Sequence, residues 1–77
     1  MELKDFIEHL AEQYDDVELK DFTPETHFKE FDEWSSLTSL SIIAMVDDEF
    51  GITLKGDEIR KATTVQDLFD IAKSKEK

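Results

Sequence analysis

Cysteine is absent from the chain, proline occurs once, and glycine and histidine occur twice each. Without cysteine there is no disulfide framework and no thiolate metal site. Two glycines, Gly51 and Gly56, are too few for a glycine-rich phosphate loop. The histidines, His9 on the polar side of the first helical stretch and His27 in a loop, form no H-E-x-x-H pair. No serine sits in a G-x-S-x-G elbow. Asp47-Asp48-Glu49 lacks the spacing of a calcium loop, because Phe50 and Ile52 interrupt it. No metal site, no catalytic residue and hence no enzyme is expected. Bases are scarce as well: nine against twenty acids leave a net charge of −11. That balance argues against nucleic acid and anionic membrane surfaces as partners. No apolar run approaches the roughly 18 residues of a membrane helix, and Met1-Glu2-Leu3-Lys4-Asp5 carries no apolar signal core. A cytoplasmic protein is expected.

What is present is apolar content and an uneven charge. Hydrophobic residues make up 39% of the 77, with six phenylalanines and Trp34 among them. That suffices for one core and one domain over 1–77, although a chain this short buries only about 60% of its unfolded surface. Residues 1–50 hold 15 acids and three bases, whereas 51–77 are nearly balanced. Such a field steers basic partners toward the N-terminal two thirds, and also serves solubility alone.

Leu3, Phe6, Ile7, Leu10, Ala11 and Tyr14 recur at helical spacing and predict a first helix ending near Tyr14–Asp16. A connection over about 15–35 follows, long for a compact domain but anchored by Phe22, Phe28, Phe31 and Trp34. Thr23-Pro24-Glu25 suits a single helical turn. Ser35 or Ser36 caps a second helix that runs to Phe50, with Gly51 at its left-handed end. Leu40, Ile43, Val46 and Phe50 fall on one side of its wheel, with Ile42 at the margin. Leu37, Thr38, Ser41, Ala44, Met45 and Asp48 fall on the other, a surface that suits docking and equally suits burial in a small domain. Ile52-Thr53-Leu54 reads as extended and Gly56–Lys61 as a short helix. Thr64 caps a last helix with Asp67 three residues on. Its stripe is Val65, Leu68, Phe69, Ile71 and Ala72, and Lys73, Lys75 and Lys77 complement its negative end.

Trp34-Ser35-Ser36-Leu37-Thr38-Ser39-Leu40, closing on Asp47-Asp48-Glu49-Phe50-Gly51-Ile52, resembles the acyl carrier protein family, whose motif is D-S-L before a helix ending in E-E-F-G-I. Upstream, Thr23-Pro24-Glu25-Thr26-His27-Phe28-Lys29-Glu30 is similar to the family's T-P-E-T-x-F-x-E. Downstream, Thr63-Thr64-Val65-Gln66-Asp67-Leu68 is similar to its T-V-x-D-L. The common register of these segments carries the resemblance, which covers nearly the whole chain. It implies an all-α four-helix bundle, three main helices plus one short one, with a long loop between the first and second. It implies that a phosphopantetheinyl transferase attaches 4′-phosphopantetheine from coenzyme A to Ser36, and that the terminal thiol carries acyl groups as thioesters. Acyl-loading, ketosynthase and acyltransferase-type enzymes with basic patches are the partners so implied, and a monomer is expected.

Three departures stand beside the match. The family's aspartate before the serine is Ser35, its D-L-G stretch reads Phe31-Asp32-Glu33, and its acidic docking positions are Thr38 and Ser41. Asp47 and Asp48 keep their charge. Docking is expected to use Ser35, Leu37, Thr38, Ser41, Ala44, Met45, Asp47 and Asp48. The resemblance implies a cargo of fatty-acid or related synthesis. The alternatives are a polyketide, amino-acyl or aryl cargo in a specialised pathway, and an unmodified adaptor of the same fold.

Overall fold

Four helices form where the apolar periodicity places them: α1 (Leu3–Ala11), α2 (Ser36–Phe50), α3 (Gly56–Lys61) and α4 (Val65–Ser74). One 3₁₀ turn, Leu19–Asp21, lies in the long loop. The structure is a computed structural model describing residues 1–76; the expected part of Lys77 in the last helix lies outside the described residues. No strand occurs among those residues. The helix α1 touches α2 and α4, and α3 touches the same two, so α2 and α4 stand at opposite corners. Phe6, Leu10, Phe28, Ile42, Val46, Ile59, Val65 and Leu68 are wholly buried between them.

The first helix stops sooner than its apolar spacing predicts. After Ala11 the chain tightens into i→i+3 bonds, Gln13 N–H to Leu10 and Tyr14 N–H to Ala11, at 3.1 and 3.0 Å. Tyr14 thus stays buried without being helical, and its hydroxyl donates to the Phe28 carbonyl at 2.7 Å. Burial pushes its phenol well above the ordinary range, and the nearby Glu33 carboxylate adds to the rise.

The connection after Tyr14 is a chain of tight turns held by aromatic anchors. Turns close at Thr23–Thr26, His27–Glu30 and Phe31–Trp34, while the rings of Tyr14, Phe22 and Phe31 pack against one another, tilted or edge-on, with centroids 5.2–5.4 Å apart. Three fastenings hold the loop to the bundle. Glu33 accepts from the Asp15 and Asp16 amides, each at 2.7 Å. Lys29 Nζ donates to the Arg60 carbonyl at 2.7 Å. The amides of Val65 and Gln66, at the start of α4, donate to the Thr26 and Pro24 carbonyls at 2.9 and 2.8 Å. Those amides would otherwise lack an intrahelical partner. Thr64 and Asp67 complete the expected reciprocal cap. Backbone amides of Thr64 and Thr63 hold the Asp67 carboxyl below the usual carboxylate range.

The wheel of α2 needs a correction. Thr38, Ile42, Met45 and Val46 face the core, whereas Leu40, assigned to the inner stripe, is 60% exposed. Thr38 and Met45, assigned to the docking face, are only 8% and 7% exposed. Small polar residues, Thr38, Ser39 and Ser41, are interspersed with the apolar ones around the helix, so its stripe has no sharp centre. It is also gripped on two flanks, by α1 and α3. Gly51 ends it in the left-handed region, at φ 66°, where a glycine has no β-carbon to strain.

Candidate functional site

The start of α2 is assembled from the loop outward. Glu33 is tied to the Asp15 and Asp16 amides after the first helix, as above, and its carbonyl accepts the Thr38 hydroxyl at 2.7 Å. Ser35 is the N-cap: its Oγ accepts the Thr38 amide at 3.3 Å and lies 3.3 Å from the Thr38 hydroxyl. A buried threonine therefore positions the turn. That removes Thr38 from the set of docking contacts, because its hydroxyl is satisfied inward. Thr38 stands three residues past the cap, and that spacing was the available signal. The role of Glu33 had none, since its partners lie 17 and 18 residues away.

With Ser35 holding the cap, Ser36 is left free. It is the first residue of α2 and exposed. Its hydroxyl has no hydrogen-bond partner among the described residues, and neither do the amides of Ser36 and Leu37. The comparable amides of α4 are taken by the loop, so the two capped helix starts differ in this respect. A cluster of open amides at the positive end of a 15-residue helix favours a negative group.

A cleft of about 360 Å³ opens beside Ser36. Trp34, Leu40 and Ile43 supply apolar walls, Ser35 and Ser39 a hydroxyl rim, and Gly56 and Arg60 close it from α3. Trp34 is fixed edge-on to Phe28 at 5.6 Å. None of the twenty acids lines this cleft. Sequence reading missed the cleft, because it needs α3 beside α2 and a six-residue helix gives little periodicity.

The other expected docking residues divide by exposure. Ser35, Leu37, Ser41, Ala44, Asp47 and Asp48 are exposed, Leu37 to 76%. Met45 is not, because it packs into the core cluster. A second cleft, between α1 and α2, is lined by His9, Glu12, Ser41, Asp48 and Glu49 among others. His9 lies 3.5 Å from Glu49 and 3.6 Å from Glu12, with its ring edge-on to Phe50. It is a surface contact between the helices, and no group of three metal-ligating side chains assembles among the described residues. No described helix is long and apolar enough to cross a membrane.

The group the sequence implies fits this site: a free hydroxyl, open amides for a phosphate and a largely apolar cleft free of acids for an arm lie together. Comparison with known proteins agrees. Residues 5–71 match the family described as "Phosphopantetheine attachment site". The mitochondrial acyl carrier protein of Dictyostelium discoideum is 40% identical over 63 residues, 82% of this chain and 52% of that protein. The acyl carrier protein of Thermosynechococcus vestitus is 34% identical over 59 residues, 77% of this chain and 73% of that one. This chain thus spans about half the length of the first relative and nearly three quarters of the second. No solved structure matches.

Proposed function

The chain belongs to the acyl carrier protein family, whose members carry a covalent 4′-phosphopantetheine, and from that premise we propose that Ser36 bears the arm. The observation that carries this is the unbonded, exposed hydroxyl of Ser36 at the first position of α2, between open amides and a cleft that no acid lines. When bound, the arm supplies a thiol that holds acyl groups as thioesters. Everything else falls to the chain. Ser35 caps the helix so that Ser36 need not, and the open amides of Ser36 and Leu37 favour the charge of a phosphodiester. Ser36 needs no activating base, because a transferase brings the catalysis.

Members of this family are carriers rather than catalysts, and they meet a transferase and synthase-type enzymes. For this chain we assign a phosphopantetheinyl transferase, and acyl-loading, ketosynthase and acyltransferase-type enzymes with basic docking patches. The docking face is Ser35, Leu37, Ser41, Ala44, Asp47 and Asp48. The cargo is an acyl chain of fatty-acid or related synthesis. A polyketide, amino-acyl or aryl cargo is the second reading, favoured by the uncharged Ser35 and Ser41 where the family carries acids. The mass of the loaded protein separates the two. A cytoplasmic setting belongs to the same reading; the Dictyostelium relative is mitochondrial by name, and fractionation distinguishes the compartments.

Intact mass after treatment with transferase and coenzyme A tests the attachment. Ser36→Ala is expected to gain nothing, while Ser35→Asp gains one phosphopantetheine. Aspartate serves as the control because it removes the second hydroxyl and still caps the helix. Labelling of Ser36→Ala with none of Ser35→Asp would move the site to Ser35. The added charge is also expected to speed modification at low salt, since rim charges act chiefly on association.

A further inference from the structure

The chain has one arginine, Arg60, and it lines the cleft that opens at Ser36. Its guanidinium folds back along α3, with Nη1 3.6 Å from where a β-carbon on Gly56 would stand. The backbone from which it hangs is fixed, because Lys29 Nζ donates to the Arg60 carbonyl. Arg60 makes no ion pair among the described residues, whereas Lys20, Lys73 and Lys75 each pair with a glutamate. A chain with 20 acids and a net charge of −11 thus keeps every acid out of this cleft and places its single, unpaired guanidinium in it. The contrast with the cleft between α1 and α2, lined by Glu12, Asp48 and Glu49, is direct.

We propose that Arg60 is the counter-ion of the phosphodiester carried on Ser36, a binding residue that draws the arm into the cleft between α2 and α3. The proposal rests on the assignment of Ser36 above. A phosphodiester is a singly charged anion with two free oxygens, and the planar fork of a guanidinium matches such a pair where an ammonium does not. Elsewhere on so acidic a surface the anion would meet net repulsion. Against the apolar Trp34, Leu40 and Ile43, attraction between the two groups is screened less than in open water.

The single arginine makes the test selective, because ¹⁵N-labelled protein gives one Nε–Hε resonance. On conversion of the parent from the unmodified to the phosphopantetheine-bearing form, that resonance is expected to shift; in Ser36→Ala treated identically it stays. The ³¹P resonance of the modified parent is expected to move as salt rises to about 1 M, where the screening length falls to about 3 Å. In modified Arg60→Gln it sits near the high-salt position throughout. A parent whose mass shows full modification, with an Nε–Hε resonance unchanged from the unmodified form, overturns the role of Arg60 and leaves Ser36 standing. A parent that gains no mass at Ser36 overturns the attachment assignment itself, and the role of Arg60 with it.

Discussion

Tyr14 shows what a single residue contributes here. Its hydroxyl donates to the Phe28 carbonyl in a buried setting, at 2.7 Å, so Tyr14→Phe leaves that carbonyl without its partner. We expect a loss of about 1–3 kcal/mol at neutral pH, read by urea unfolding. The raised phenol sets the sign of the pH dependence. The unfolded tyrosine ionises near pH 10, about its ordinary value, while the folded one stays neutral to higher pH. The stabilisation is therefore complete below about pH 10 and falls as pH rises above it. Above that pH the gap between parent and Tyr14→Phe should narrow; a gap that stays constant would mean the phenol titrates normally. At this scale the sequence was legible wherever a partner lay within one turn. The Thr64–Asp67 reciprocal cap and the left-handed Gly51 follow from local sequence, as does a cap at Ser35 or Ser36, which the structure gives to Ser35. The Tyr14–Phe28 bond, 14 residues apart, does not.

At the scale of elements, existence and order were readable, and facing was not. The apolar repeats of α1 and α4 gave stripes whose inner members, Phe6, Leu10, Leu68 and Ala72, are buried as expected. The repeat of α2 admitted more than one phase. Neighbours on both flanks turned it so that Met45 lies inside and Leu37 and Leu40 outside. The two sides separate experimentally. Met45→Glu should cost roughly 3 kcal/mol, since it buries a carboxylate without a partner. Leu37→Glu should change stability by less than about 0.5 kcal/mol, yet weaken partner binding by placing a charge in an apolar contact. Thermal unfolding beside a binding titration with any partner synthase distinguishes them. Equal melting of the two variants would return Met45 to the docking face. The long loop was the hardest element, because its turns satisfy their backbone locally while its position depends on carbonyls that meet α4 some 40 residues later.

For the molecule as a whole, charge is the variable to change. Asp47 and Asp48 are exposed at the C-terminal end of α2, where the helix dipole disfavours acids. Replacing both with lysine moves the net charge from −11 by four units. Stability should hold or rise slightly. Association with a basic partner should slow by about tenfold at low salt and lose much of its salt dependence. Stopped-flow rates across a salt series measure this, and an unchanged rate would leave the acidic end as a solvated face only. The fastening of the loop to α4 reaches further still. The amides of Val65 and Gln66 are held by carbonyls from Thr26 and Pro24, so opening either segment breaks bonds of the other, and the two are expected to open together. In deuterium oxide these two protons should survive as long as those of the core, while the amides of Ser36 and Leu37, free at the corresponding place in α2, trade theirs almost at once. Protease attack on the peptide bonds around Pro24 would then keep time with unfolding of the entire chain, and the longest irregular stretch of the molecule would be among its last parts to let go.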